Sequence, residues 1–185
     1  RGGVVVAREI ARSLDADLDI VLARKLRMLG FEELALGSVG EDGKVFLNQE
    51  IVEEWGVEEA YIQQEKAHQV AEIKRRAELF RRVKPKVPLK GRIVIVTDDG
   101  VATGATAQAA LWSVPAFQPK KLVVAMPVGP SDTIRRLAKD ADEMMCLLVP
   151  AQFGAVGQFY EQFSPVEDEA VLKILGEVGK GSVLK

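Results

Sequence analysis

Four consecutive β-branched residues, Ile93 to Val96, run straight into two aspartates and then into a stretch of small residues, "KGRIVIVTDDGVATGATAQAAL" over positions 90–111. A β-branched run bounded by glycines reads as a buried central strand. The small, hydroxyl-bearing residues behind it read as a turn into a helix that starts near Thr103 or Gly104 and runs toward Ser113, with Pro115 near its end. Strand, tight turn and helix in immediate succession commit the chain to layers of helix packed on sheet.

The remaining pattern agrees. Val4 to Leu14 has helical spacing. Leu18 to Ala23 is a short apolar run ending at Arg24-Lys25 and reads as a buried strand. Leu34 to Val39 and Lys44 to Asn48 flank Gly40-Glu41-Asp42-Gly43, a hairpin signal. Glu58 to Val83 is the longest helical pattern, with Ile62, Val70, Ile73, Ala77 and Phe80 on one face and Glu72/Arg76 and Glu78/Arg82 spaced for surface pairs. Pro85 and Pro88 then forbid its continuation. Lys121 to Pro127 and Met144 to Val149 read as strands, Asp132 to Lys139 as a helix capped by Ser131, and Val166 to Leu175 as a final helix. Fraying is expected from Gly176 to Lys185. Apolar strands alternating with helices predict an α/β fold with a Rossmann-like, mostly parallel sheet covered on both faces.

Composition bounds the function classes. The 185 residues are 48% hydrophobic and 28% charged, with 25 Lys+Arg against 27 Asp+Glu, hence a net charge of −2. That is a globular composition with no global case for nucleic acid or membrane binding. Charge is uneven: Glu32 to Glu65 is acidic, and Lys74 to Arg92 is basic, as a solvated helix face would be. The single cysteine, Cys146, sits in an apolar run and reads as a core thiol. With no intramolecular disulfide, no membrane-spanning stretch and no signal peptide, the expected location is the cytoplasm. His68 reads as a surface residue, and Trp55 and Trp112 as packing residues.

The chemistry concentrates at Asp98 to Thr106. Open α/β sheets bind ligands at the carboxyl ends of their strands. A helix start there offers unpaired N–H donors and a positive dipole end, and small residues let the backbone close on a phosphate. Two carboxylates beside an anion site make sense if the ligand also offers hydroxyl groups or brings a metal. A ribose 5-phosphate does both. The segment is not a Walker A loop, since Gly-Lys-Ser/Thr is absent, and its glycine spacing is not that of a dinucleotide fold.

At these residues the chain resembles the type I phosphoribosyltransferases, whose signature is a hydrophobic strand, two acids and a small-residue loop ending in Thr-Gly-x-Thr; "VIVTDDGVATGAT" is similar to it throughout. Arg1-Gly2-Gly3 resembles the pyrophosphate loop that a poorly characterised subgroup carries as Pro-Arg-Gly-Gly. "ELALGSVGEDG" resembles that subgroup as well. The resemblance implies one domain over residues 1–185, with a β-hairpin insertion and a small hood over 150–165. It implies binding of 5-phosphoribosyl-1-pyrophosphate (PRPP) with magnesium, and displacement of pyrophosphate at the anomeric carbon by a nitrogenous base or amine, in nucleotide metabolism.

Carried over by position, Asp98 and Asp99 would be the catalytic pair, holding the ribose hydroxyls and, through water, magnesium. Ala102, Thr103, Gly104, Ala105 and Thr106 would wrap the 5-phosphate. Arg1, Gly2, Gly3, Arg24 and Lys25 would meet pyrophosphate. Phe153 and Tyr160, within "PAQFGAVGQFYEQF", would be candidates to stack on a base. Two departures matter. Ala102 stands where 6-oxopurine enzymes often carry an aspartate. The family's first core strand would precede Arg1, and a chain without it would show an exposed sheet edge or a gap. Two rival readings are a PRPP-sensing RNA-binding regulator, supported only by the basic stretch, and a sugar-phosphate hydrolase using the same cradle. No membrane partner is expected, RNA is not favoured, and a homodimer is one assembly compatible with the family.

Overall fold

A computed structural model of the protein describes residues 1–41 and 43–179. Helix α1 (Gly3–Leu14) leads, followed by β1 (Ala23–Met28), β2 (Phe31–Gly40) and β3 (Val45–Leu47). Helices α2 (Gln49–Glu54) and α3 (Glu59–Arg81) come next, then β4 (Ile93–Val96), α4 (Ala105–Ser113), β5 (Lys121–Val128), α5 (Ser131–Leu137), β6 (Glu143–Leu148) and α6 (Asp168–Gly179). The strands form two sheets, an antiparallel β1-β2-β3 and a parallel β4-β5-β6.

The parallel sheet is the expected α/β layer. Buried Val96, Leu122, Val124 and Met126 pack against Ala107 and Leu111 of α4 and Leu137 of α5. β5 is the central strand, and it reads as a near-continuous apolar run because both its faces are covered. β4, expected to be central, bonds only β5 and so lies at an edge. A second cluster gathers α1, Phe80 of α3 and Val171, Ile174 and Leu175 of α6. A third joins Leu26, Leu36 and Val39 of the hairpin to Ile73 of α3.

Several sequence expectations shift. The hairpin forms as β2 and β3, while Asp42 in its turn lies outside the described residues. The strand expected over Leu18 to Ala23 does not pair there. Leu18 is buried, but the paired strand starts at Ala23, so Arg24 and Lys25 fall inside β1 rather than after a strand. Ser131 opens α5 instead of capping it, because Pro130 occupies the cap position. Helix α6 continues to Gly179, beyond the point where fraying was expected.

The unpaired run and the unpaired edge face each other. Two adjoining cavities, of about 170 and 200 Å³, are both lined by Ile20, Val21 and Leu22 on one side and Ile95, Val96 and Thr97 on the other. Arg92, just before β4, bonds Asp17 at 2.7 Å, and further charge anchors the wall of Ile20 to Leu22. Arg81 bonds the Asp19 carboxylate, the Ile20 carbonyl (3.0 Å) and Glu41 of the hairpin turn (2.9 Å), and Asp19 also accepts the Val87 amide (2.8 Å).

Candidate functional site

β4 ends at Val96, and the chain turns through Thr97 to put both acids at its carboxyl end. Asp98 Oδ1 accepts the Asp99 amide at 2.9 Å. Burial, and then the neighbouring Asp98 charge, push the Asp99 carboxyl above its ordinary value. Such a pair gains from any cation or hydroxyl donor brought beside it.

The amino-terminal residues pack against these acids. A Cβ on Gly2 would fall 1.8 Å from Asp99 Oδ2, and one on Gly3 would fall 2.7 Å from the Asp98 Cα, so α1 begins in contact with the pair. Arg1 to Gly3 are the entry turn of α1, with Val4 N–H bonded to the Arg1 carbonyl (3.2 Å) and Val5 N–H to that of Gly2 (3.1 Å). Arg1 itself pairs with Glu167 (2.8 Å) and Asp168 (3.4 Å) at the start of α6.

The loop after the acids is pinned from behind and open in front. Val101 N–H bonds the Val128 carbonyl at 2.9 Å. Gly104 takes φ +74°, a left-handed conformation that glycine adopts without strain, and leads into α4 with no side-chain cap. The Gln108 N–H makes the first helical bond, to the Gly104 carbonyl at 2.8 Å, and the amides before it have no helical carbonyl to meet. Among the described residues, no acceptor meets the amides of Ala102, Thr103 and Gly104. Thr103 and Thr106 are exposed. Unpaired amides, hydroxyls and a positive helix end are the kinds of group that bind anions in other folds. One groove brings Arg1, Gly3, Asp98 and Thr106 together.

The candidate hood sits beside the acids. A Cβ on Gly100 would lie 2.7 Å from Val156, so the turn Val156–Phe159 rests on the residue after Asp99. Tyr160 donates its hydroxyl to the Asp99 carbonyl at 2.5 Å, and burial, with the acid charges, raises its pKa. Its ring tilts against Phe163 (5.2 Å), and Phe153 stacks on Phe159 (5.6 Å). Both aromatic candidates thus have protein partners.

The basic candidates diverge. Arg24 donates to Gln69 of α3 at 2.5 Å; burial and then Arg76 lower its pKa, and it does not line the groove of Asp98 and Thr106. Lys25 pairs with Ser38 across the hairpin and is also outside that groove. Arg76 of α3 does line it, although in sequence it looked like one more solvated charge. The basic stretch is heavily paired: Glu72 holds Arg75 and Arg76 (both 2.9 Å) and is drawn down to about 2, chiefly by the Arg75 hydrogen bond. Sequence reasoning missed Tyr160 as a partner of Asp99, and also Thr133 and Arg136, which bond the loop from α5. Neither link has a local sequence signal.

No family model matches the chain. Two proteins of Mycobacterium tuberculosis, from strains CDC 1551 / Oshkosh and ATCC 25618 / H37Rv, carry the names "Putative phosphoribosyl transferase MT0597" and "Putative phosphoribosyl transferase Rv0571c". Each is 46% identical over 175 residues, 95% of this chain, and this chain spans 40% of their length. The crystal structure of TT1426 from Thermus thermophilus superposes with a TM-score of 0.89 at 46% identity, covering 96% of this chain and 84% of that one. The fold is therefore that of TT1426, and in this chain the acid pair follows the carboxyl end of a parallel strand. Over 95% of its length the chain is thus similar to proteins named as phosphoribosyl transferases, and it shares the fold of TT1426. Among the described residues, no helix is long and apolar enough to cross a membrane.

Proposed function

We infer that the chain binds PRPP and transfers its phosphoribosyl group to a nitrogenous base or amine, releasing pyrophosphate. The observation that carries this reading is the juxtaposition of two half-buried carboxylates with a loop of unpaired amides at one strand end. An anion site alone would suit many phosphates. An acid pair beside it suits a phosphate whose carrier also presents adjacent hydroxyls.

The amides of residues 102–106 and the Thr103 and Thr106 hydroxyls hold the 5-phosphate. Asp98 and Asp99 accept from the 2- and 3-hydroxyls and fix the ring so that its anomeric carbon faces the incoming nitrogen. As the bond to pyrophosphate lengthens, the ring gains oxocarbenium character, and the acid pair's negative charge lies where it stabilises that cation. Arg1, at the same groove, lies near the leaving group; Arg24 and Lys25 would have to act from the hairpin.

Magnesium fits this donor set in a limited way. Among the described residues, no group of three or more ligating side chains gathers, so the protein offers no complete cage. Magnesium does not need one, because it keeps waters and binds through one or two carboxylates plus substrate phosphates. When bound it would supply charge neutralisation for the departing pyrophosphate. Asp98 and Asp99 would hold it through water.

The test is pyrophosphate release from PRPP and magnesium against a panel of nucleobases and amines. Release that depends on an acceptor supports transfer. Equal release in buffer alone would sink the transfer reading in favour of a hydrolase.

A further inference from the structure

The geometry points to Thr133 and Arg136 of α5 as positioning residues that aim the loop amides at a phosphate. This rests on the reading of residues 102–106 as a phosphate cradle and adds to it the device that sets the cradle's shape. Neither side chain need touch the ligand.

Two successive carbonyls of the loop are taken by one helix face. Thr133 Oγ1 donates to the Ala102 carbonyl at 2.8 Å, and the Arg136 guanidinium donates to the Thr103 carbonyl. The two residues are three apart, so they stand side by side on α5. In a trans peptide the C=O and N–H of the same unit point in opposite directions. A bond that draws the Ala102 carbonyl toward α5 therefore turns the Thr103 N–H away from it. The Arg136 bond does the same for the Gly104 N–H. These two amides are among those with no acceptor in the described residues.

Three further facts fit a built arrangement. Thr133 is buried at 2% exposure, so its hydroxyl is committed inward rather than to water. A Cβ on Gly104 would lie 2.7 Å from Thr133 Cγ2 and 3.2 Å from the Arg136 guanidinium, so helix and loop touch at the point being clamped. Arg136 is exposed and makes no ion pair with a carboxylate among the described residues. A cation on a carbonyl polarises the peptide and makes its N–H a stronger donor, so Arg136 gives the cradle positive character from outside it. Thr133 sets direction, and Arg136 sets both direction and strength.

Calorimetric titrations of ribose 5-phosphate and of inorganic pyrophosphate, each with magnesium, test this on the full chain. The variants are Arg136→Met, Arg136→Lys, Thr133→Val and Thr133→Ser. Arg136→Met and Thr133→Val should each weaken ribose 5-phosphate binding by roughly tenfold, the scale of one lost hydrogen bond to a polar or charged group. Pyrophosphate, which does not occupy the cradle, should bind as before. The Lys and Ser variants keep a donor and should recover most of the loss. Equal loss of both ligands would mean general damage to the fold and would overturn the clamp. So would unchanged ribose 5-phosphate binding in Arg136→Met and Thr133→Val, and that result would leave the cradle reading intact. An unaltered chain that binds neither ligand would overturn the cradle itself, and the clamp with it.

Discussion

Gly3 shows how much one hydrogen in place of a methyl can decide. With no side chain it lets the backbone of α1 lie against the backbone of Asp98, and a Cβ there would meet the Asp98 Cα at 2.7 Å. The φ of this helical position is ordinary, so the demand for glycine comes from packing, not from backbone strain. Gly3→Ala must push α1 off the end of β4 and should cost about 1–3 kcal/mol, the usual penalty of overpacking. A thermal melt should show a drop of several degrees; an unchanged midpoint would mean that α1 does not touch the acid pair as described. Tyr160 makes the complementary point. Its hydroxyl reaches the Asp99 carbonyl across 61 residues of sequence, so no local pattern around either residue could have revealed the bond.

At the scale of elements, α3 is held by charge as well as by its apolar face. Ile62, Ile73 and Phe80 are buried, yet so is Gln69, which bonds Glu65 (2.8 Å) and receives Arg24. Arg81, at the end of the helix, ties Asp19 and Glu41 together, and Lys86 adds a contact to Glu41 at 3.3 Å. Burial alone would raise the Glu41 carboxyl, but the Arg81 hydrogen bond and charge outweigh it and hold the group below its ordinary 4.5. A carboxyl lowered in the folded state stabilises the fold above its unfolded pKa, and that stability is lost as pH falls through the folded value. Glu41→Gln should therefore cost about 2 kcal/mol near neutral pH, where Arg81 is left half-paired in a largely buried site. The difference from the unaltered chain should shrink as pH drops below about 4.5. A difference constant from pH 7 to pH 3 in denaturant titrations would refute the ion cluster as the brace.

Elements whose signal is local were legible in sequence. The strand, acid pair, small-residue loop and helix of positions 93–113 occur nearly as read, because β-branching, glycine and helix entry act over a few residues. Long-range pairing was not legible. Leu18 to Leu22 has the composition of a buried strand and lines an apolar cavity, but it joins neither sheet. Arg24 and Lys25, expected just after a strand, fall inside β1 because it begins five residues later than the apolar run suggests. The α5 contacts of Thr133 and Arg136 look, in sequence, like any polar face of a short helix.

Over the whole molecule, two sheets meet at a slot rather than merging. The slot runs alongside β4, the strand that leads to Asp98 and Asp99; the Asp19–Arg81–Glu41 cluster braces one wall, and the Arg92–Asp17 pair ties it to the start of β4. The site is therefore assembled from parts that meet only in the tertiary fold: the end of β4, the start of α1, the turn into α4, and the hood through Tyr160. A ligand that grips the loop and the acids at once would tie these parts together. Titration of PRPP with magnesium into the unaltered chain and into the Asp98→Asn/Asp99→Asn variant, followed by calorimetry, addresses that directly. The unaltered chain should bind, and the double variant should lose at least about tenfold in affinity, since charge-assisted contacts to the ribose and metal are removed. Equal affinity in the two proteins, or no heat of binding in the unaltered chain, would contradict the assignment.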